Sequence, residues 1–204
     1  MLTRIEVAPR PDVRDVLGEG AARKIRSELS ITVDQVRMVK VFTVQGASLE
    51  EIQAVLDAQA LHDPVLHRVS LEPLAPGEFD WALEVGYRPG VTDNEGRTAQ
   101  EVLNMILGRA GSEGLRVYTS QRCHISGALS RGDVVRIARD LLANELIQRF
   151  EIASREEWDQ SPGFPPFAAE VTGESVSEVA VIPLGEMDDA QLAAFSRENT
   201  LALS

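Results

Sequence analysis

A chain of 204 residues with a formal net charge of −12 can bury a real core as one domain or two small ones, and it repels a phosphate backbone or an anionic membrane. Its cations are scattered, with pairs such as Arg23-Lys24 set among acidic residues, which argues against nucleic acid as a partner. The single cysteine, Cys123, excludes an internal disulfide, no Cys/His cluster has zinc spacing, and neither a long apolar leader nor a run of about eighteen apolar residues occurs, so a cytoplasmic chain outside the membrane is expected.

The chain then repeats itself. Ile5-Glu6-Val7-Ala8-Pro9-Arg10-Pro11-Asp12-Val13-Arg14-Asp15 aligns with Leu83-Glu84-Val85-Gly86-Tyr87-Arg88-Pro89-Gly90-Val91-Thr92-Asp93 at an offset of 78, which also relates Gly18 to Gly96 and Ala21 to Ala99. From Gly46 and Gly127 onward the offset is 81, through Leu61/Leu142, Asp63/Asn144 and Arg68/Arg149. Recurrence at a fixed spacing is the mark of a duplicated unit.

In chain order, Ile5 and Val7 alternate with Arg4 and Glu6, as Leu83 and Val85 do around Glu84, and predict an opening strand with one buried face. Ala21, Ala22, Ile25 and Leu29, and likewise Ala99, Val102, Leu103 and Ile106, have the three-to-four spacing of an amphipathic helix. Leu115 to Ser126 alternates as a long strand. Its counterpart Val36 to Val44 changes phase near Met38-Val39, which predicts either a bulge or burial of both faces. Leu49, Ile52, Val55 and Leu56, and Val134, Ile137, Ala138, Leu141 and Leu142, predict a second helix before a closing strand. Each unit therefore reads β-α-β-α-β, an α+β arrangement of antiparallel strands with both helices on one face. The opposite face needs a cover, and two units joined by the short stretch 72–78 are expected to pair as an intrachain pseudo-dimer. The boundaries read as 1–75, 76–154, and a tail of loop, strand and helix over 155–204, with Arg155 to Gly173 loop-like, Val176 to Pro183 a strand, and Asp188 with Gln191 a capping box.

The run Val13-Arg14-Asp15-Val16-Leu17-Gly18-Glu19-Gly20-Ala21-Ala22 resembles the opening of PurS, the small subunit of phosphoribosylformylglycinamidine synthase, and Leu61-His62-Asp63-Pro64-Val65-Leu66 resembles that family's signature before its last strand. Arg88 to Ala99 is similar to a characteristic segment of the long forms of the enzyme. Glu145 departs from the pattern, where the family favours proline. The resemblance covers about the first three quarters of the chain. It implies a non-catalytic module that bridges glutaminase and ATP-dependent synthetase parts and helps pass ammonia, with no cofactor of its own and with ATP and Mg serving the whole enzyme. It also implies that the tail leads toward a linker region, in a piece of a longer polypeptide or in a separately encoded subunit. An ACT-like regulatory module binding a small metabolite is the alternative from another functional class.

No catalytic residue and no metal ligand set is assigned from the sequence. Asp15 with Gly18 and Asp93 with Gly96 read as turn-and-cap elements, with anion contact at a helix N-terminus as the sharper alternative and Glu19 and Glu95 opposing it. Arg10 and Arg88 recur beside proline, as a structural bond or as an interface contact. Cys123 and His124 cannot pair as nucleophile and base because neighbours in a strand face opposite ways, so the thiol is assigned to the core and the histidine to the surface. His62 and His67 lack converging further ligands. Trp81 and Trp158 read as packing residues.

Overall fold

The computed structural model describes residues 1–109, 114–171 and 182–199. Met1–Val171 forms one compact unit and Thr172–Ser204 a second. The first unit runs β1 (Leu2–Pro9), α1 (Val16–Leu29), β2 (Gln35–Gln45), α2 (Leu49–Asp57), β3 (His67–Ser70), β4 (Trp81–Tyr87), α3 (Asn94–Ile106), β5 (Arg116–Ser126), α4 (Arg131–Ile137), a π-helical turn (Ala138–Leu142), β6 (Gln148–Ser154) and α5 (Arg155–Gln160). The second contains a 3-10 turn (Leu184–Glu186) and α6 (Asp189–Glu198), where Asp188 and Gln191 exchange both bonds of a capping box. The strand expected over 176–183 falls largely outside the described residues.

The fold is α+β. All six strands of the first unit join in one antiparallel sheet of order β3-β1-β2-β5-β4-β6. Each half has the same strand and helix order, and the halves meet edge to edge through eleven β2–β5 residue pairs. Lys40 pairs with Gln121, the residue 81 positions further on, so β2 meets its own sequence counterpart about an approximate twofold at that pair. The three-residue change of offset is taken up between α3 and β5.

The two halves share their cores. On one face of the sheet, α1 and α4 pack over Val36 and Met38 of β2, Leu83 and Val85 of β4, and Cys123 and Ile125 of β5. Alongside, α2 and α3 pack over Ile5, Val7, Phe42, Val44, Leu115 and Val117. The apolar stripe of α1 thus shares a core with strands of both halves, and so do Ala99 and Leu103 of α3. β2 is a regular strand buried on both faces: its ladder to β5 is unbroken, and Val39 and Val41 are fully buried beneath Leu74 on the side away from the helices.

That second side is where expectation and structure part. It is covered by the connection 71–80, by α5 and by the strap 161–171, not by repeat lying on repeat. Phe79, Ala82, Trp158 and Phe164 form a small core there, and Gly163 comes close against Pro73. Arg155–Gln160, expected as loop, is a helix because Ser154 and Glu157 make a reciprocal capping box and Trp158 anchors the turn in the apolar cover.

Candidate functional site

The two Asp-x-x-Gly turns do identical work. Asp15 accepts the Gly18 N–H at 2.8 Å, capping α1, while its other oxygen accepts the buried Met38 N–H at 2.7 Å. Asp93 accepts the Gly96 N–H at 2.7 Å and the Thr119 N–H at 2.6 Å, and Thr119 lies 81 residues beyond Met38. In each half the β1 or β4 ladder has ended before this strand residue, so a carboxylate stands in for the missing strand. The glycines permit the approach. A Cβ on Gly18 would sit 2.1 Å from the Val36 carbonyl oxygen, and one on Gly96 would sit 2.5 Å from that of Val117.

Arg10 and Arg88 also repeat one task. The Arg10 guanidinium donates to the Pro64 carbonyl at 2.9 Å, and Arg88 donates to the carbonyls of Glu145 at 2.9 Å and Gln148 at 3.0 Å. Each ties the end of a first strand to the turn before a last strand. The bond uses a backbone acceptor, so glutamate in place of proline at 145 leaves it intact. Asp63 and Asn144 cap those turns from equivalent positions, accepting the N–H groups of Val65 and Leu146 at 2.8 Å and 3.0 Å. His67 is used locally: its Nδ1 faces the Asp63 N–H at 3.3 Å.

Cys123 lies in the helix-side core beside Met38, and burial pushes its thiol up to about 12. His124 points to the other side. The surface position expected for it is wrong: it is 1% exposed, because Phe79 and Trp158 close over it with ring centroids at 4.3 Å and 5.1 Å. Burial first, then the charges of Arg122 and Arg155, push its pKa down to about 3. Its Nε2 accepts from the Arg122 Nε at 2.9 Å, which requires a neutral ring. Trp81 donates its indole N–H to the Leu129 carbonyl at 3.1 Å and flanks the helix-side core.

Near the twofold on the same side as His124 lies a charge network that the strand periodicity did not announce. Arg122, fully buried, grips both oxygens of Glu6 and donates to the Leu74 carbonyl at 3.0 Å, and the Leu74 N–H returns to Glu6 at 2.7 Å. Arg4 reaches Glu84 at 2.6 Å and Glu6 at 3.4 Å, and Ser120 donates to Glu84 at 2.7 Å. Two cations and two anions balance. Glu6 and Glu84 recur 78 residues apart, and that recurrence, beside an arginine at the centre of β5, was the signal available for it.

Three open clefts accompany these turns. One of about 560 Å³ lies beside Asp15 and includes Glu19, Arg23, Arg26 and Arg37; another of about 720 Å³ lies beside Asp93 and includes Arg97, Glu101, Asn104 and Tyr118. Most positions of these linings correspond under the two offsets, with the sign of charge exchanged between Glu19/Arg23 and Arg97/Glu101. The third, about 660 Å³, lies over the twofold on the helix side and is lined by Leu17, Phe42, Leu61, Leu66, Lys40 and Glu95, the last two paired. Val16, Leu17, Val65 and Leu66 leave apolar surface exposed there.

No family model matches the chain, and no curated protein is significantly similar to it. Among the described residues, no helix is long and apolar enough to cross a membrane.

Proposed function

We propose that this chain is a PurS-like tandem module, a pseudo-dimer in one polypeptide, acting as a non-catalytic cytoplasmic scaffold of phosphoribosylformylglycinamidine synthase. In this role it holds glutaminase and ATP-dependent synthetase parts together and helps ammonia pass between them. The observation that carries the reading is the Lys40–Gln121 pair: a duplicated β-α-β-α-β unit joined to its own counterpart through the second strand is what a fused dimer requires. The motif residues that resemble the family are spent on turns and on the helix-to-strand approach, a structural use that suits a scaffold. The exposed leucines above the twofold offer the apolar surface that docking needs.

The test is reconstitution with the cognate glutaminase and synthetase regions, following association and glutamine-dependent product formation. Association and restored coupling, both weakened by Leu17→Glu, are expected. Folded parts that neither associate nor gain glutamine-dependent turnover would remove the scaffold role.

A second reading rests on the two corresponding clefts beside Asp15 and Asp93, which suit an ACT-like module taking a small metabolite at equivalent places. Thermal stabilisation by an amino acid or nucleotide, without any gain in association, would favour it.

A further inference from the structure

A smaller pocket of about 280 Å³ lies on the side of the sheet away from the helices, in the first half of the chain. Its lining is Pro9, Pro11, Arg37, Arg68, Ala75, Pro76 and Gly77, so two cations and no carboxylate face it in a chain of net charge −12. Both arginines are half-buried, and neither side chain makes a hydrogen bond or a close ion pair among the described residues. Arg37 interacts at longer range with the charge of Glu19, which is itself held by Arg14. Three prolines make the walls stiff, so little ordering would accompany binding.

The other half of the chain contains the same place already filled. Arg149 is the counterpart of Arg68, and its guanidinium lies 3.6 Å from the centre of the Phe167 ring while pairing with Glu151. Neither filler exists in the first half. Ser70 stands where Glu151 does, and its hydroxyl is occupied by the Glu72 N–H at 2.9 Å. The connection 71–80 passes directly into β4 and has no counterpart of the strap that carries Phe167. The Nε of both arginines lacks a partner, so the contrast lies in the stacked face and the paired terminal nitrogens.

From this contrast we infer that the Arg37/Arg68 pocket binds a small anion attached to a flat ring, an aromatic carboxylate or phosphate, with the ring stacked on Arg68 and the anionic group held by the two guanidinium groups. Arginine suits both contacts, since its planar face stacks on rings and its fork binds carboxylate or phosphate. This site lies on the other side of the sheet from the cleft beside Asp15, with which it shares only Pro11 and Arg37, and it does not depend on a scaffold role.

The test titrates the isotope-labelled full chain with phenyl phosphate, benzoate, inorganic phosphate and acetate, following backbone amide shifts. Saturable shifts centred on Arg68 and Gly77 are expected, with each ring-bearing anion binding about tenfold more tightly than its ringless counterpart. Phenyl phosphate and benzoate separate a phosphate preference from a carboxylate preference. Arg68→Gln and Arg37→Gln should each weaken binding about tenfold, while Lys24→Gln, an exposed change of equal charge, leaves it unaltered. Arg68→Lys should keep anion binding and lose the preference for the ring. If Arg68→Gln fails to fold, Arg37→Gln and Arg68→Lys carry the comparison. Absence of saturation by all four probes, or binding indifferent to the arginine variants, would overturn the site.

Discussion

At the scale of single residues, His124 is the titrating group whose placement departs furthest from expectation. Its folded pKa lies at about 3, below the ordinary value of 6.5, so the unfolded chain takes up a proton that the folded chain refuses. Stability from this residue is complete above the unfolded pKa. It is lost as pH falls from about 6.5 toward 3, at up to about 1.4 kcal/mol per pH unit within that window. Urea unfolding at pH 7 and pH 5.5 should therefore show the wild type weakening on acidification, and His124→Gln, which keeps an acceptor for Arg122, should remove much of that slope. An equal slope in the variant would assign the loss to other groups. The strand alternation correctly separated Cys123 from His124, but alternation says only that two side chains face opposite ways. Burial of the second side depends on Phe79 and Trp158, brought in by segments remote in sequence and without periodicity of their own.

At the scale of the element, the Asp-x-x-Gly turn fixes where a helix begins and how closely it approaches a strand. Two glycines in α1 separate these demands. Gly18 faces the Val36 carbonyl at a distance no Cβ tolerates, whereas a methyl added at Gly20 would meet nothing within 4 Å. Gly18→Ala should cost about 2–3 kcal/mol by forcing the helix off β2. Gly20→Ala should instead stabilise by about 0.5–1 kcal/mol, through the lower entropy of the unfolded chain. Thermal or chemical melts of the two variants should thus move in opposite directions, and a matched gain in both would show that helix propensity rather than the close approach governs the site. The turn itself was legible, since aspartate and glycine three apart mark a cap, and the repeat marked it twice. The carboxylate's second bond, to Met38 or Thr119, was not, because it joins residues 23 or 26 apart across a contact that spacing alone does not specify.

At the scale of the whole molecule, the duplication in sequence foretold the two equal element orders, but the placement of the halves could be drawn face to face or edge to edge. Edge-to-edge joining prevails because β2 and β5 are long and buried on both sides, and because α1 and α4 share one core built on strands of both halves. The halves differ in ways that forbid exchange. If residues 1–75 paired with a second copy of themselves in the same register, Lys40 would face Lys40 across the axis, where like charges directly opposite one another are destabilising. Glu6 would meet Val41, the counterpart of Arg122, and lose its buried cation, a change of the kind that costs about 3–5 kcal/mol. The native chain instead gives Lys40 a neutral neighbour in Gln121 and an anion in Glu95, and gives Glu6 its arginine. Separately produced segments 1–75 and 76–171 should accordingly combine as a one-to-one complex on mixing, while 1–75 alone should not form a stable dimer. Light scattering with circular dichroism checks both statements. A stable 1–75 homodimer would mean that strand pairing outweighs the loss of charge balance, and a one-to-one complex that Arg122→Val abolishes would place the choice of partner in the Glu6–Arg122 bond.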